Sequence, residues 1–184
     1  MSHFRKIDVR IWNDAKFTAL SDEGKLVFLM MLTHPSMTAL GAMRCSMEAL
    51  LSELKGNRDA LADGFRDIIR HGMAEYDADA RMVALPNFLK YNPPTAPNTV
   101  KAWARQLEYL PECQLKTVVI QRAVAFTHGM ADAFQHAIPD AMRYIQSIEH
   151  GDYPSQGEEL TGYGATGRRP ALAPPNGAGR EVGQ

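Results

Sequence analysis

Apolar positions in the first ninety residues change their spacing several times, and each change marks an element. Residues 25–33 are an almost unbroken apolar run. Ser21 stands before them as an N-cap, with Asp22 and Glu23 in the first turn where the helix dipole favours carboxylates. His34 and Pro35 stop this helix. Residues 38–44 are too short and too Gly-interrupted for a helix and suit one edge strand. Ser46 caps a second helix whose Met47, Leu50, Leu51 and Leu54 follow helical spacing, with Gly56 at the C-terminal cap. Asn57 caps a third helix at once, leaving almost no loop between the two. Leu61, Phe65, Ile68 and Ile69 give that helix one buried face, and Gly72 ends it. Residues 73–77, a polar turn at 78–80 and residues 81–88 then make a two-stranded hairpin.

Helix, short strand, helix, tight turn, helix and hairpin is the order of a winged helix-turn-helix, which points toward nucleic acid. Beyond the hairpin, residues 92–98 hold three prolines in seven positions, which restricts the backbone to extended or turn conformations. Val100, Trp103, Leu107 and Leu110 mark one face of a helix ended by Pro111. Residues 112–127 carry apolar positions around most of the circumference, predicting burial on several sides. A further helical stretch at 130–149 is interrupted at Pro139. From Gly151 onward few large apolar residues remain, and a disordered tail is expected. The expected organisation is a winged-helix domain over 1–92, a linker at 93–98, a small helical domain over 99–150 and a tail over 151–184. The fold class is mainly α with a small β-hairpin. Helices this short bury little surface alone, so they are expected to dock on the winged helix or on a partner.

The segments FRKIDVRIWND (4–14), LSDEGKLVFL (20–29), THP (33–35) with LGAMR (40–44), LPNFLKYNPP (85–94) and PNTVKAW (97–103) together resemble the N-terminal region of bacteriophage and prophage replication proteins. The winged-helix domains of that group are similar to those of DnaD-type and lambda O-type initiators. The resemblance covers roughly residues 4 to 116. It implies a fold and a replication context, with a replicative helicase or loader protein as the implied partner, and it leaves the biochemical step open.

Composition narrows the chemistry. Hydrophobic content of 45% in 184 residues suffices for a packed core. The longest apolar run, 26–32, is far short of the ~20 residues that cross a bilayer, and the N-terminus mixes charges with single apolar residues unlike a signal peptide. A protein of the bacterial host cytoplasm without membrane contact is therefore expected. Cys45 and Cys113 stand in no motif and read as reduced thiols. No phosphate loop, nucleophile elbow, HExxH pair or zinc-spaced Cys pair occurs, so a non-enzyme without cofactor is expected. The histidines at 3, 34, 71, 128, 136 and 150 offer no convergent set of about four ligands. Asp8 and Asp14 mimic a catalytic dyad, but without an accompanying base or nucleophile they read as local caps and ion-pair partners around Trp12.

Charge qualifies the nucleic-acid reading. Residues 1–92 hold twelve Lys plus Arg and twelve Asp plus Glu, so the expected reader domain is neutral, whereas a strong sequence-independent binder is basic. On the third helix Arg66 and Arg70 are three residues from Asp63 and Asp67, which can neutralise them. Phosphate candidates at the rim are Arg44 before the second helix, Lys55, Asn57 and Arg58 at the turn, and Arg81 at the second hairpin strand. Arg5, Lys6 and Arg10 form a further N-terminal cluster. Trp12 and Phe17 are expected to pack onto the core. Trp103, Leu107 and Tyr109 are candidates for a partner surface, with burial of the tryptophan on its own helical stripe as the competing reading. The preferred function is a replication-associated binder of double-stranded DNA, of modest affinity, that marks an origin and recruits helicase machinery without catalysis. A winged-helix interaction module acting as inhibitor or adaptor is the alternative. A transcriptional repressor comes third, because no heptads provide a dimer interface.

Overall fold

A computed structural model describes residues 4–149, with side chains as far as residue 144. The expected tail at 151–184 lies outside the described residues. The chain is mainly helical with one small antiparallel sheet. A 3-10 turn at Val9–Asn13 leads into α1 (Ala15–Thr18) and α2 (Asp22–Thr33). Then come β1 (Ala42–Arg44), α3 (Met47–Ser52), α4 (Arg58–Arg70), β2 (Glu75–Asp77) and β3 (Met82–Ala84). The remainder is helical: α5 (Phe88–Tyr91), α6 (Pro97–Lys101), α7 (Trp103–Leu107), α8 (Gln114–His128), α9 (Asp132–Gln135) and α10 (Asp140–Glu149).

The caps are where local chemistry places them. Ser21 Oγ accepts from Gly24 N–H, Ser46 Oγ from Ala49 N–H, and Asn57 Oδ1 from the N–H groups of Asp59 and Ala60. Each satisfies N–H groups that a helix start leaves open. Gly72, at φ +63, turns the chain out of α4, and Gly41, at φ +76, turns it into β1. The Phe88 side chain fills the space a Cβ on Gly41 would need.

β3 is the central strand of the sheet, with order β1-β3-β2. Met43 and Tyr76 flank Val83 in register, and Arg44 and Asp77 flank Met82. Met82, Val83 and Ala84 are all buried, so the sheet is covered on both faces. On one face Tyr76 meets Phe65 of α4 edge to ring at 5.2 Å, and its hydroxyl accepts from Met47 N–H at the start of α3. α8 covers the other face. Arg122 of α8 makes a two-pronged ion pair with Glu75 of β2, at 2.5 and 2.7 Å, and Cys113 Sγ lies 3.6 Å from Met82 Sδ. The buried residues of α8, among them Val119, Ile120, Ala123 and Val124, lie on one face, while Leu115, Val118 and Phe126 are only half-buried, so the burial on several sides that its apolar pattern predicts is not found.

The expected boundary at 93–98 does not divide the core. Trp103, Val100, Leu107 and Leu110 belong to the same apolar cluster as Phe65 and Val83, and the described residues fall in one compact unit. Pro94 is buried and Pro97 opens α6, so the prolines shape a packed corner. Gln106 of α7 accepts from Ala39 N–H at 2.6 Å, and Asn92 exchanges hydrogen bonds with the backbone of Lys6. Ala102 breaks the expected helix of 100–110 into α6 and α7, while its apolar stripe survives intact.

Candidate nucleic-acid interface

Every DNA-contact candidate singled out from the sequence is exposed: Arg44, Lys55, Asn57, Arg58 and Arg81 at the rim, and Arg66 and Arg70 on the face of α4. Their electrostatic states differ. Arg66 pairs with Asp63 at 2.5 Å and Arg70 with Asp67 at 2.8 Å, the neutralisation that three-residue spacing allows. The helix therefore presents its two outward arginines already engaged with carboxylates. Asn57 commits its side-chain oxygen to capping α4, which leaves only its amide NH2 for a ligand.

Arg44, Lys55, Arg58 and Arg81 have no ion-pair partner among the described residues. Two of them are neighbours. Arg44 pairs with Met82 in register, and the next residue, Cys45, donates its N–H to Arg81 O at 2.7 Å. Both guanidinium-bearing residues thus stand at one end of the sheet, beside the start of α3. Arg81 is at φ +53, the left-handed region, and among the described non-glycine residues it alone has a positive φ. Asp77 Oδ1 closes the hairpin turn by accepting from Ala80 N–H. Lys55 and Arg58 form the second pair, on either side of the α3–α4 turn.

The N-terminal cluster does not present three cations. Arg5 is turned inward, donates to Met37 O at 2.5 Å and lies over the Phe88 ring at 5.4 Å; its burial lowers its pKa. Arg10 is held by Asp8 at 2.6 Å. The hydrogen bonds from the Arg10 side chain and backbone hold the Asp8 carboxyl at about 2, below its ordinary value. Lys6 alone remains unpaired there. Asp8 caps the 3-10 turn and Asp14 caps α1, so the two carboxylates act locally, as their surroundings in sequence imply.

The partner candidates need correction. Trp103 is wholly buried and Leu107 nearly so, because their stripe packs into the common core; Tyr109 alone is exposed, at 67%. Trp12 is 62% exposed, meeting Phe17 only edge to ring, while Phe17 is fully buried. Among the described residues no three His, Cys, Asp or Glu side chains are grouped to hold a metal ion, and no helix is long and apolar enough to cross a membrane. The Cys45 thiol is half-buried, and that burial, reinforced by the Glu53 carboxylate, pushes its pKa up. No protein-family model matches the chain, and neither a curated protein nor a solved structure matches it.

Two features were missed in the sequence. One is the cover of α8 over the sheet; its all-round apolar pattern signals burial without saying against what. The other is an open cavity of about 420 Å³ between the N-terminal strap and α5. No sequence signal marks it, since its lining comes from four separated segments.

Proposed function

We propose that the chain is a phage or prophage replication-associated DNA-binding protein of the host cytoplasm, which marks an origin and helps recruit helicase machinery by binding alone. The order α2, β1, α3, α4, β2, β3 supports the winged-helix reading, as does the resemblance of residues 4–116 to replication proteins. The observation that carries the DNA reading is the set of four exposed, unpaired cations, Arg44 and Arg81 at the sheet end and Lys55 and Arg58 at the helix turn. Unengaged cations at the rim suit contacts to a phosphate backbone, which position a domain without reading sequence. A helicase or loader would be engaged outside the Trp103 stripe, with Tyr109 as the exposed remnant of that surface.

A second reading, a winged-helix interaction module acting as inhibitor or adaptor, is favoured by two observations. Asp63 and Asp67 tie up the arginines of α4, and α8 packs on the sheet through Arg122 and Glu75. Mobility-shift titration of the full chain with duplex DNA over a salt series separates the two. The DNA reading expects modest affinity with a salt slope of on the order of three to five neutralised phosphates. Absence of any complex at ~50 mM salt and micromolar protein moves the assignment to the interaction module.

A further inference from the structure

We infer that the 420 Å³ cavity beneath the N-terminal strap, residues 6–16, is a binding site for a small anionic amphiphile, an apolar body ending in one carboxylate-like head. Its size falls within the range of about 300–1,000 Å³ seen for small-molecule sites. Its apolar lining comes from Phe28 and Leu32 of α2, Leu85 after β3, and Phe88 of α5. The strap over it is fixed at two points: the Arg5 guanidinium on Met37 O and the reciprocal bonds between Lys6 and Asn92. Both anchors lie at the start of the strap, and Lys6 and Asn92 themselves line the cavity.

The sign of the ligand follows from the charges around the cavity. Lys6, Arg10, Lys16 and Lys90 line it, against Asp8 and Asp14. Asp8 is neutralised by an arginine and Asp14 keeps its charge, which leaves three cations against one carboxylate. Asp8 holds Arg10, and Asp14 accepts from the N–H groups of Lys16 and Phe17. Among the described residues no carboxylate pairs with Lys6, Lys16 or Lys90, and Lys90 rests only on the Tyr91 ring at 5.3 Å. Three unpaired ammonium groups around an apolar floor favour an anion with a greasy body and disfavour a neutral or cationic one. The N-terminal turn containing Asp8 and Arg10 forms one wall, so occupancy would set how firmly that strap is held.

The test uses the full chain with decanoate, 1-decanol and decyltrimethylammonium as probes, followed by amide chemical-shift mapping. Decanoate is expected to shift amides around the cavity, among them Ile11, Leu32 and Leu85, and to bind at least about tenfold tighter than 1-decanol. The triple variant Lys6→Gln, Lys16→Gln, Lys90→Gln replaces exposed side chains and should fold; it should lose about tenfold in decanoate affinity and little for 1-decanol. A short duplex should not displace decanoate, which keeps this site separate from the proposed DNA rim. Equal binding of all three probes, shifts scattered away from the cavity, or no shift at millimolar decanoate overturns the inference.

Discussion

Gly24 of α2 and Gly64 of α4 face each other where the two helices cross: a Cβ placed on Gly64 would lie 2.6 Å from the Gly24 nitrogen and 2.7 Å from its Cα. The obstacle is backbone, which cannot swing aside as a side-chain tip can. Gly64→Ala should therefore lose stability despite the better helix propensity of alanine, by about 2 kcal/mol, as overpacking in a core does. Gly24→Ala meets its nearest atoms at 3.3 Å, two of them side-chain atoms, and should fall within ~1 kcal/mol of the parent. Urea unfolding of the two variants measures the difference. Equal stability of both would mean that the helices do not approach this closely.

Charge variants separate the rim from the face of α4. Lys55→Ala with Arg58→Ala should weaken all duplexes about equally, since the unpaired cations there have only phosphates to meet. Asp63→Ala with Asp67→Ala should tighten binding by releasing Arg66 and Arg70 and by removing two repelling carboxylates. Mobility shifts at fixed salt read both effects. A weaker complex for the aspartate pair would show that α4 does not face DNA.

The shared core predicts the outcome of truncation. A fragment ending at residue 92 loses Trp103, Val119, Ile120 and Val124, all buried in the same cluster as the sheet. Such a fragment should show no cooperative thermal transition by circular dichroism. In the full chain Trp103→Ala should cost ~3–5 kcal/mol, the usual range for removing a large buried aromatic. A folded fragment with native stability would mean that α6 to α8 add little to the sheet.

Asp8 gives a pH prediction. Its carboxyl is held at about 2, first by the Arg10 side-chain hydrogen bonds, then by the Arg10 backbone N–H. A depressed carboxylate favours the folded strap at every pH above its unfolded value, and that preference disappears as pH falls through the folded pKa. Carboxyl carbon shifts should place the Asp8 midpoint near 2, and Arg10→Gln should move it upward toward the ordinary range. An unchanged midpoint in that variant would leave Arg10 with no part in the shift.

Much of the core frame was legible because it is fixed locally. Ser21, Ser46 and Asn57 announce their helices through side chains that bond N–H groups two or three residues on, and the paired Arg and Asp spacing on α4 is a property of one turn of helix. The prolines at 93–97 mislead for a related reason. They fix backbone angles equally in a free linker and in a packed corner, and only the burial of Pro94 and the path into α6 distinguish the two. Trp12 was expected inside because of its size, yet Phe17 alone fills the space against the core. The Glu75–Arg122 pair spans 47 positions and the cavity joins distant segments, so neither has a signature in any one stretch of sequence.

The sheet order leaves β1 and β2 as outer strands, each only three residues long. So short an edge offers too few free backbone groups to template a visiting strand, and natural proteins keep edges short for that reason. An extended peptide cannot be captured here by adding itself to the sheet, and copies of the chain cannot zip together along it. A partner that meets this sheet must therefore meet its side chains, so that recognition there depends on a few exposed groups such as Arg44 and Arg81 and single substitutions can rewrite it.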